Sequence, residues 1–210
     1  VADATSRHGE SPARGQPASS RSPLGHRAGV LAVVGFSIVF WLALGVAGAA
    51  EPGYDPIVDR ISPLAAPDAA ARPFGVLAVV AAGCALICCA LGLRGLVRDA
   101  PTPGRLLLAA GALVVIAAVV PLTSAWHDPL VLVAQLLVTS SMLVLGRQAH
   151  AAGRSLLAAF AVGGGLVTLV LSLDPGPWPP GVDQRVWVAS LQVLVIVLAA
   201  WPPSSQRPSD

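Results

Sequence analysis

The sequence predicts an all-α fold, a polytopic transmembrane helix bundle of about six spans with both termini cytoplasmic. Three observations carry that expectation. Of 210 residues, 55% are hydrophobic and only 11% are charged, less than half of the roughly 25% charge usual in a soluble domain. The apolar residues run on in long blocks instead of recurring at helical or strand spacing, which places the chain in the membrane class. The basic residues, all of them Arg, gather in alternate gaps between those blocks.

Residues 1–27 are rich in Ser, Pro, Gly and Arg, and are expected to form a disordered cytoplasmic tail. The first span is expected at 28–50. It ends in "GVAGAAEPG", whose Ala47 and Ala49 would suit a signal-peptidase site. A secretory apolar core runs about 7–15 residues, so this longer run is expected to stay uncleaved. An outer loop, 51–73, leads to the second span, 74–93. The remaining spans fall at 106–122, 130–146, 155–173 and 186–201, completing a six-span membrane domain over 28–201 before a cytoplasmic tail at 202–210. A helix rises about 1.5 Å per residue and needs roughly 20 residues to cross the hydrocarbon. The third, fourth and sixth runs are therefore short and must borrow flanking residues. Pro101 and Pro103, Pro129, Gly153 with Arg154, and the cluster from Pro175 to Pro180 punctuate the gaps.

Arg sets the orientation. Arg7, Arg14, Arg21, Arg27, Arg94, Arg98, Arg105, Arg147, Arg154 and Arg207 share one side, against Arg60, Arg72 and Arg185 on the other. Glu51, Asp55, Asp59, Asp68, Asp128, Asp174 and Asp183 show the opposite bias. The Arg-rich side is expected inside and the 51–73 loop outside, in a plasma membrane. Arg without Lys, and a Val at position 1 that fits a GUG start, suit a GC-rich bacterium. Trp126, Trp178 and Trp187 should mark the outer boundary and Trp201 the inner one, as an aromatic belt.

The spans hold no Asp, Glu, Arg or His. Such groups mark ion pathways, proton relays and voltage sensors inside membranes, so an ion-coupled pump or voltage-gated channel is not expected. The polar residues present, Ser37, Gln135, Thr139 to Ser141, Thr168, Ser172, Ser190 and Gln192, read as hydrogen-bonding glue between helices. Ser155, Ala159 and Gly163, like Gly45 and Ala49, step by four and would let backbones approach, within a bundle or in a homodimer. Cys84, Cys88 and Cys89 lack further ligands for a metal and read as buried small hydrophobes. The sequence holds no phosphate loop, zinc-helix pair of His or nucleophile elbow. No cofactor, metal or nucleic acid is expected, and no catalytic residue is assigned. The bilayer is the expected partner, with a second copy or a membrane-complex subunit beside it.

The outer loop is the most informative stretch. Gly53, Tyr54, Asp55 and Pro56 read as a turn. Beyond them Ile57, Ile61 and Leu64 recur at helical spacing, with Asp59, Arg60 and Ser62 between. Either a short amphipathic helix lies on the interface, stopped near Pro63 or Pro67, or a solvated connector runs here. A candidate outer-face cluster follows: Tyr54, Asp55, Asp59, Ser62, Gln184 and Arg185. Arg185 is expected to pair with Asp55 or Asp59 and fold the loop over the bundle, with Tyr54 and Gln184 as neighbours.

"PGYDPIVDRISPLAA" (52–66) and "GVDQRVWVASLQVLVIVLAAW" (181–201) resemble, in order and spacing, the two signatures of the domain of unknown function 998 family. Its members are prokaryotic integral membrane proteins of about six or seven spans. The resemblance implies the threading above and brings no assigned chemistry. Pro63 and Ala65 depart from the Glu and Gly that the family tends to carry. Three roles remain: a non-enzymatic lipid- or partner-binding envelope protein; a facilitator for a small or apolar solute lined by Gln135, Thr139, Thr168 and Ser172; and an enzyme on a lipid-borne substrate using Asp55, Asp59, His127 and Asp128. The first is expected.

Overall fold

A computed structural model describes residues 23–93, 101–173 and 177–202. Six helices make up the described chain: α1 (Pro23–Ala50), α2 (Arg72–Leu93), α3 (Pro101–Ala117), α4 (His127–Ala151), α5 (Ser155–Leu173) and α6 (Pro180–Ala200). A short 3₁₀ turn, Ser62–Ala65, interrupts the loop between α1 and α2. The expected tails up to residue 22 and from residue 203, together with Arg94, Arg98 and Asp174, lie outside the described residues. Pro23 to Arg27, expected in the disordered tail, instead begin α1.

Five helices, all but α3, are long and apolar enough to cross a membrane, while α3 is apolar and 17 residues long. Their outward faces carry large apolar side chains: Leu31, Leu42 and Leu156 are 71%, 66% and 75% exposed. A water-soluble protein would bury such side chains at about 1.5–3 kcal/mol each; in hydrocarbon their exposure costs nothing. This is a helical membrane bundle.

Three helix ends differ from the sequence reading for local reasons. Pro101 and Pro103 belong to the first turn of α3, where a proline's missing N–H would have had no helical partner anyway. The same argument extends α6 back to Pro180, so Gln184 and Arg185 sit on a helix and not in the loop before it. At the other end of α3, regular helix stops at Ala117 and continues as single turns, such as Val120 N–H to Ile116 O at 3.3 Å. Gly153 and Arg154 do mark a join. Gly153 takes a φ of 71°, and Arg154 N–H and Gly153 N–H return to Ala149 O and His150 O at 2.8 and 2.9 Å, the Schellman ending of α4.

Neighbouring helices pack in chain order, and α6 closes the arrangement against α1, α2 and α5. Small residues set two of the antiparallel crossings. A Cβ on Gly83 would lie 2.8 Å from Gly111 O, and one on Gly111 would lie 2.8 Å from Gly83 O, so α2 and α3 cross with backbones touching. Gly165 similarly admits Met142 of α4. The stripe of Ser155, Ala159 and Gly163 singled out from spacing is exposed, with open space around Gly163 and Gly45 alike; the intrachain contacts use other faces. Ser141 Oγ donates to Pro103 O at 2.8 Å, a buried tie between α4 and α3.

The core has two parts. One joins Val33, Leu86, Leu107, Met142, Leu157 and Leu198 near one end of the bundle. The other packs Phe40, Leu44, Ile61, Leu64 and Ala78 beneath the α1–α2 loop. Among the described residues α6 has no close backbone approach to α3 or α4. A cavity occupies that gap.

Candidate functional site

The site is built from the loop after α1 and the first turns of α6. Glu51 holds the two ends of the loop together, its Oε2 accepting Ala70 N–H at 2.7 Å. Gly53 turns the chain with a φ of 75°, and Tyr54 then folds back against Gly48, where a Cβ would meet the ring at 3.0 Å. The carboxylates of Asp55 and Asp59 shape the next turn. Asp55 Oδ1 accepts Ile57 N–H and Asp59 Oδ2 accepts Asp55 N–H, both at 2.8 Å. The carbonyls of Pro56, Ile57, Val58 and Asp59 are left to meet partners outside the turn.

Helix α6 meets those carbonyls. A helix start leaves several N–H groups without intrahelical partners, and Pro179 and Pro180 have none to offer. The first available, Gly181 and Val182, donate to Val58 O and Ile57 O at 3.1 Å each. The loop thus does what a side-chain cap does elsewhere. The approach requires glycine: a Cβ on Gly181 would lie 2.6–2.7 Å from the carbonyl oxygens of Pro56, Ile57 and Asp59.

One turn later Arg185 completes the joint. Its Nη1 donates to Pro56 O, to Asp59 O at 3.1 Å and to Gly181 O at 2.9 Å. Its Nη2 donates to the Tyr54 hydroxyl, which in turn donates to Arg60 O at 3.1 Å. Gln184 adds two bonds, accepting Ile61 N–H at 2.6 Å and donating to Ser62 Oγ at 3.3 Å. All six residues of the expected cluster, Tyr54, Asp55, Asp59, Ser62, Gln184 and Arg185, therefore belong to one hydrogen-bonded cap. The expected ion pair is corrected. Arg185 bonds main-chain carbonyls and a phenol, and the Asp55 and Asp59 carboxylates bond main-chain N–H groups. A guanidinium carries five N–H donors in a fixed fork, which lets one side chain serve several acceptors at once. Of the two alternatives for the loop, the helix from Ile57 does not form. Ile57 and Val58 are each 54% exposed, and it is Ile61 and Leu64 that turn inward. Pro63 lies within the 3₁₀ turn instead of stopping a helix.

Below the cap lies a cavity of about 130 Å³. Ile61, Ser62, Ala65 and Gln184 roof it, Phe40, Ala82 and Leu86 form one wall, and Val114 to Val131 and Trp187 to Val195 form the others. Its size is near the roughly 150 Å³ of an engineered apolar cavity that binds benzene. From Gln184 to Val195 it follows α6 for eleven residues, about 16 Å and so about half the hydrocarbon thickness. His127 is the one titratable lining residue; its Nδ1 lies 3.1 Å from Val120 O. Trp187 Nε1 and Gln192 Nε2 are buried without hydrogen-bond partners.

Sequence reading placed Trp187 in an aromatic belt and Gln192 among the glue residues; the structure puts both in the cavity wall. The signal was present: Gln184, Val188 and Gln192 recur every four residues, one face of α6. A second cavity of about 40 Å³ adjoins, lined by Gln135 and Thr168 among apolar groups. Thr139 and Ser172 do not line it, and the hydroxyls of Thr168 and Ser172 donate to Gly165 O and Thr168 O of their own helix. Cys84, Cys88 and Cys89 are free thiols, and among the described residues no cluster of His, Cys, Asp and Glu could hold a metal.

An apolar bundle with a hydrogen-bonded lid over an internal cavity defines a multi-pass membrane protein. The family model for proteins of unknown function DUF998 matches residues 30–201, and the chain belongs to that family. No curated protein and no solved structure matches it.

Proposed function

We propose that the protein is a non-enzymatic lipid-binding protein of the plasma membrane, with both termini cytoplasmic and the cap facing outward. One observation supports the binding role above others: the cavity is lined mostly by apolar side chains, reaches about half the hydrocarbon thickness and carries a few polar groups, Ser62 and Gln184 under the cap and Trp187 and Gln192 deeper in its wall. A facilitator reading is weakened because three of the four side chains proposed to line a path, Gln135, Thr168 and Ser172, bond the backbone of their own bundle, and Thr139 lines neither cavity. An enzyme reading is weakened because Asp55 and Asp59 are engaged in holding the loop turn. The Arg asymmetry of the sequence supports the orientation.

Native mass spectrometry of the full chain, extracted gently from its own membrane, tests the role. A lipid retained at fixed stoichiometry is expected, and Ala82→Phe, which fills the cavity, is expected to lose it. Retention that Ala82→Phe does not change would place the lipid on the bundle surface and remove the proposal.

A further inference from the structure

We infer that the cavity recognises an uncharged amphiphile through its carbonyl-group oxygens, which accept hydrogen bonds from Trp187 and Gln192. This rests on the lipid-binding reading and specifies its ligand class.

The first ground is the pair of orphan donors. Trp187 Nε1 and Gln192 Nε2 are buried with no partner, and both residues belong to the cavity wall. Gln192 is only 5% exposed. A buried polar group without a partner is costly and uncommon. Indole N–H and an amide NH₂ are donors only, so the group that satisfies them must be an acceptor.

The second ground is charge. Arg185, the cation nearest the roof, is engaged with Pro56 O, Asp59 O, Gly181 O and Tyr54 Oη. Among the described residues no Arg lines the cavity. An anionic headgroup brought there would lose its hydration and find no permanently charged cation among the described lining residues, His127 being the one group there that can take a proton; membrane interiors penalise such a charge heavily. A neutral carbonyl loses far less and gains two donors. The apolar side chains around these donors, such as Leu86, Val131 and Leu191, then take the part of the tail next to the carbonyl. An acyl ester and a quinone ring both present this chemistry.

The test uses the delipidated full chain in amphipol with a pyrene-tagged hydrocarbon as reporter. Competitors are decane, monodecanoylglycerol, a decyl-substituted benzoquinone and decanoyl lysophosphatidic acid. The ester, the quinone or both are expected to displace the reporter at about tenfold lower concentration than decane, and which one does so identifies the source of the carbonyl. In Gln192→Leu, and separately in Trp187→Phe, that advantage should vanish while decane competes as before. Equal competition by decane, competition by lysophosphatidic acid as strong as the ester's, or an advantage that survives both substitutions would overturn the inference while leaving lipid binding intact. A reporter that fails to bind the wild-type chain would overturn lipid binding itself, and the inference with it.

Discussion

The guanidinium of Arg185 and the phenol of Tyr54 meet twice although 131 residues separate them. Arg185 Nη2 donates to the Tyr54 hydroxyl, and Arg185 Cζ lies 5.7 Å from the Tyr54 ring centroid, close enough for a cation–π attraction. The same side chain holds three carbonyls. Arg185→Ala is therefore expected to lower stability by about 2–3 kcal/mol, since hydrogen bonds to charged groups contribute about 1.5–3 kcal/mol each and partial exposure discounts the sum. Arg185→Lys should restore less than half, because an ammonium cannot span the fork. Thermal unfolding in detergent measures both; full recovery by Lys would show that charge alone matters.

Asp59→Asn separates the observed joint from an ion pair. Asn can still accept Asp55 N–H, so a loss below about 0.5 kcal/mol is expected, additive with Arg185→Ala. A strong coupling between the two substitutions would mean that the carboxylate and guanidinium interact directly.

Gly181→Ala should cost about 2–3 kcal/mol or more, because its Cβ would press on three main-chain oxygens that have nowhere to move. The loop should also lose its protection. Hydrogen exchange over residues 57–65 is expected to accelerate while exchange in α4 stays unchanged. Unaltered protection of the loop would show that the close approach does not hold the cap.

Gly165→Ala and Gly163→Ala should move in opposite directions. The first would bring a Cβ to 2.8 Å from Met142 Cβ and destabilise by about 1–3 kcal/mol. The second points into open space and replaces a poor helix former, so stability should hold or rise by up to about 1 kcal/mol. Melting curves of the two variants side by side decide it.

The three thiols should report the packing of α2. Cys89 is fully buried and Cys84 and Cys88 are half-buried. A water-soluble maleimide is expected to leave Cys89 unmodified until the protein is denatured. Labelling of Cys89 in the folded protein would show that α2 does not pack as described.

Much of this was legible beforehand, for identifiable reasons. Long apolar runs need no tertiary information to be read as helices, and the Gly153–Arg154 join follows from glycine's access to positive φ. Tyr54, Asp55, Asp59, Ser62, Gln184 and Arg185 lie together in the structure because polar residues at the edge of an apolar bundle have few places to go. What failed was anything that depended on which atoms satisfy which. The pull of opposite charges suggested Arg185 with Asp, whereas unpaired main-chain groups at the start of α6 and in the loop had the stronger claim. Small-residue spacing pointed to Ser155, Ala159 and Gly163, and not to Gly83 and Gly111, because spacing along one helix says nothing about where its neighbour lies. The cavity was invisible for a related reason: it is made by the distance between α6 and two other helices.

The long reach of the cap has a consequence for biogenesis. Ile61 waits for Gln184, 123 residues further on, and Tyr54 waits for Arg185. While the chain is being inserted, the loop has only its internal Asp turns and Glu51 to organise it, and its carbonyls stay in water. The cap can close only once the final helix has been threaded and pushed home with Pro180 leading its turn. Closure is then a record of completed insertion, and a chain stalled before α6 would leave the loop and the cavity mouth open to any quality-control protease that samples that side of the membrane.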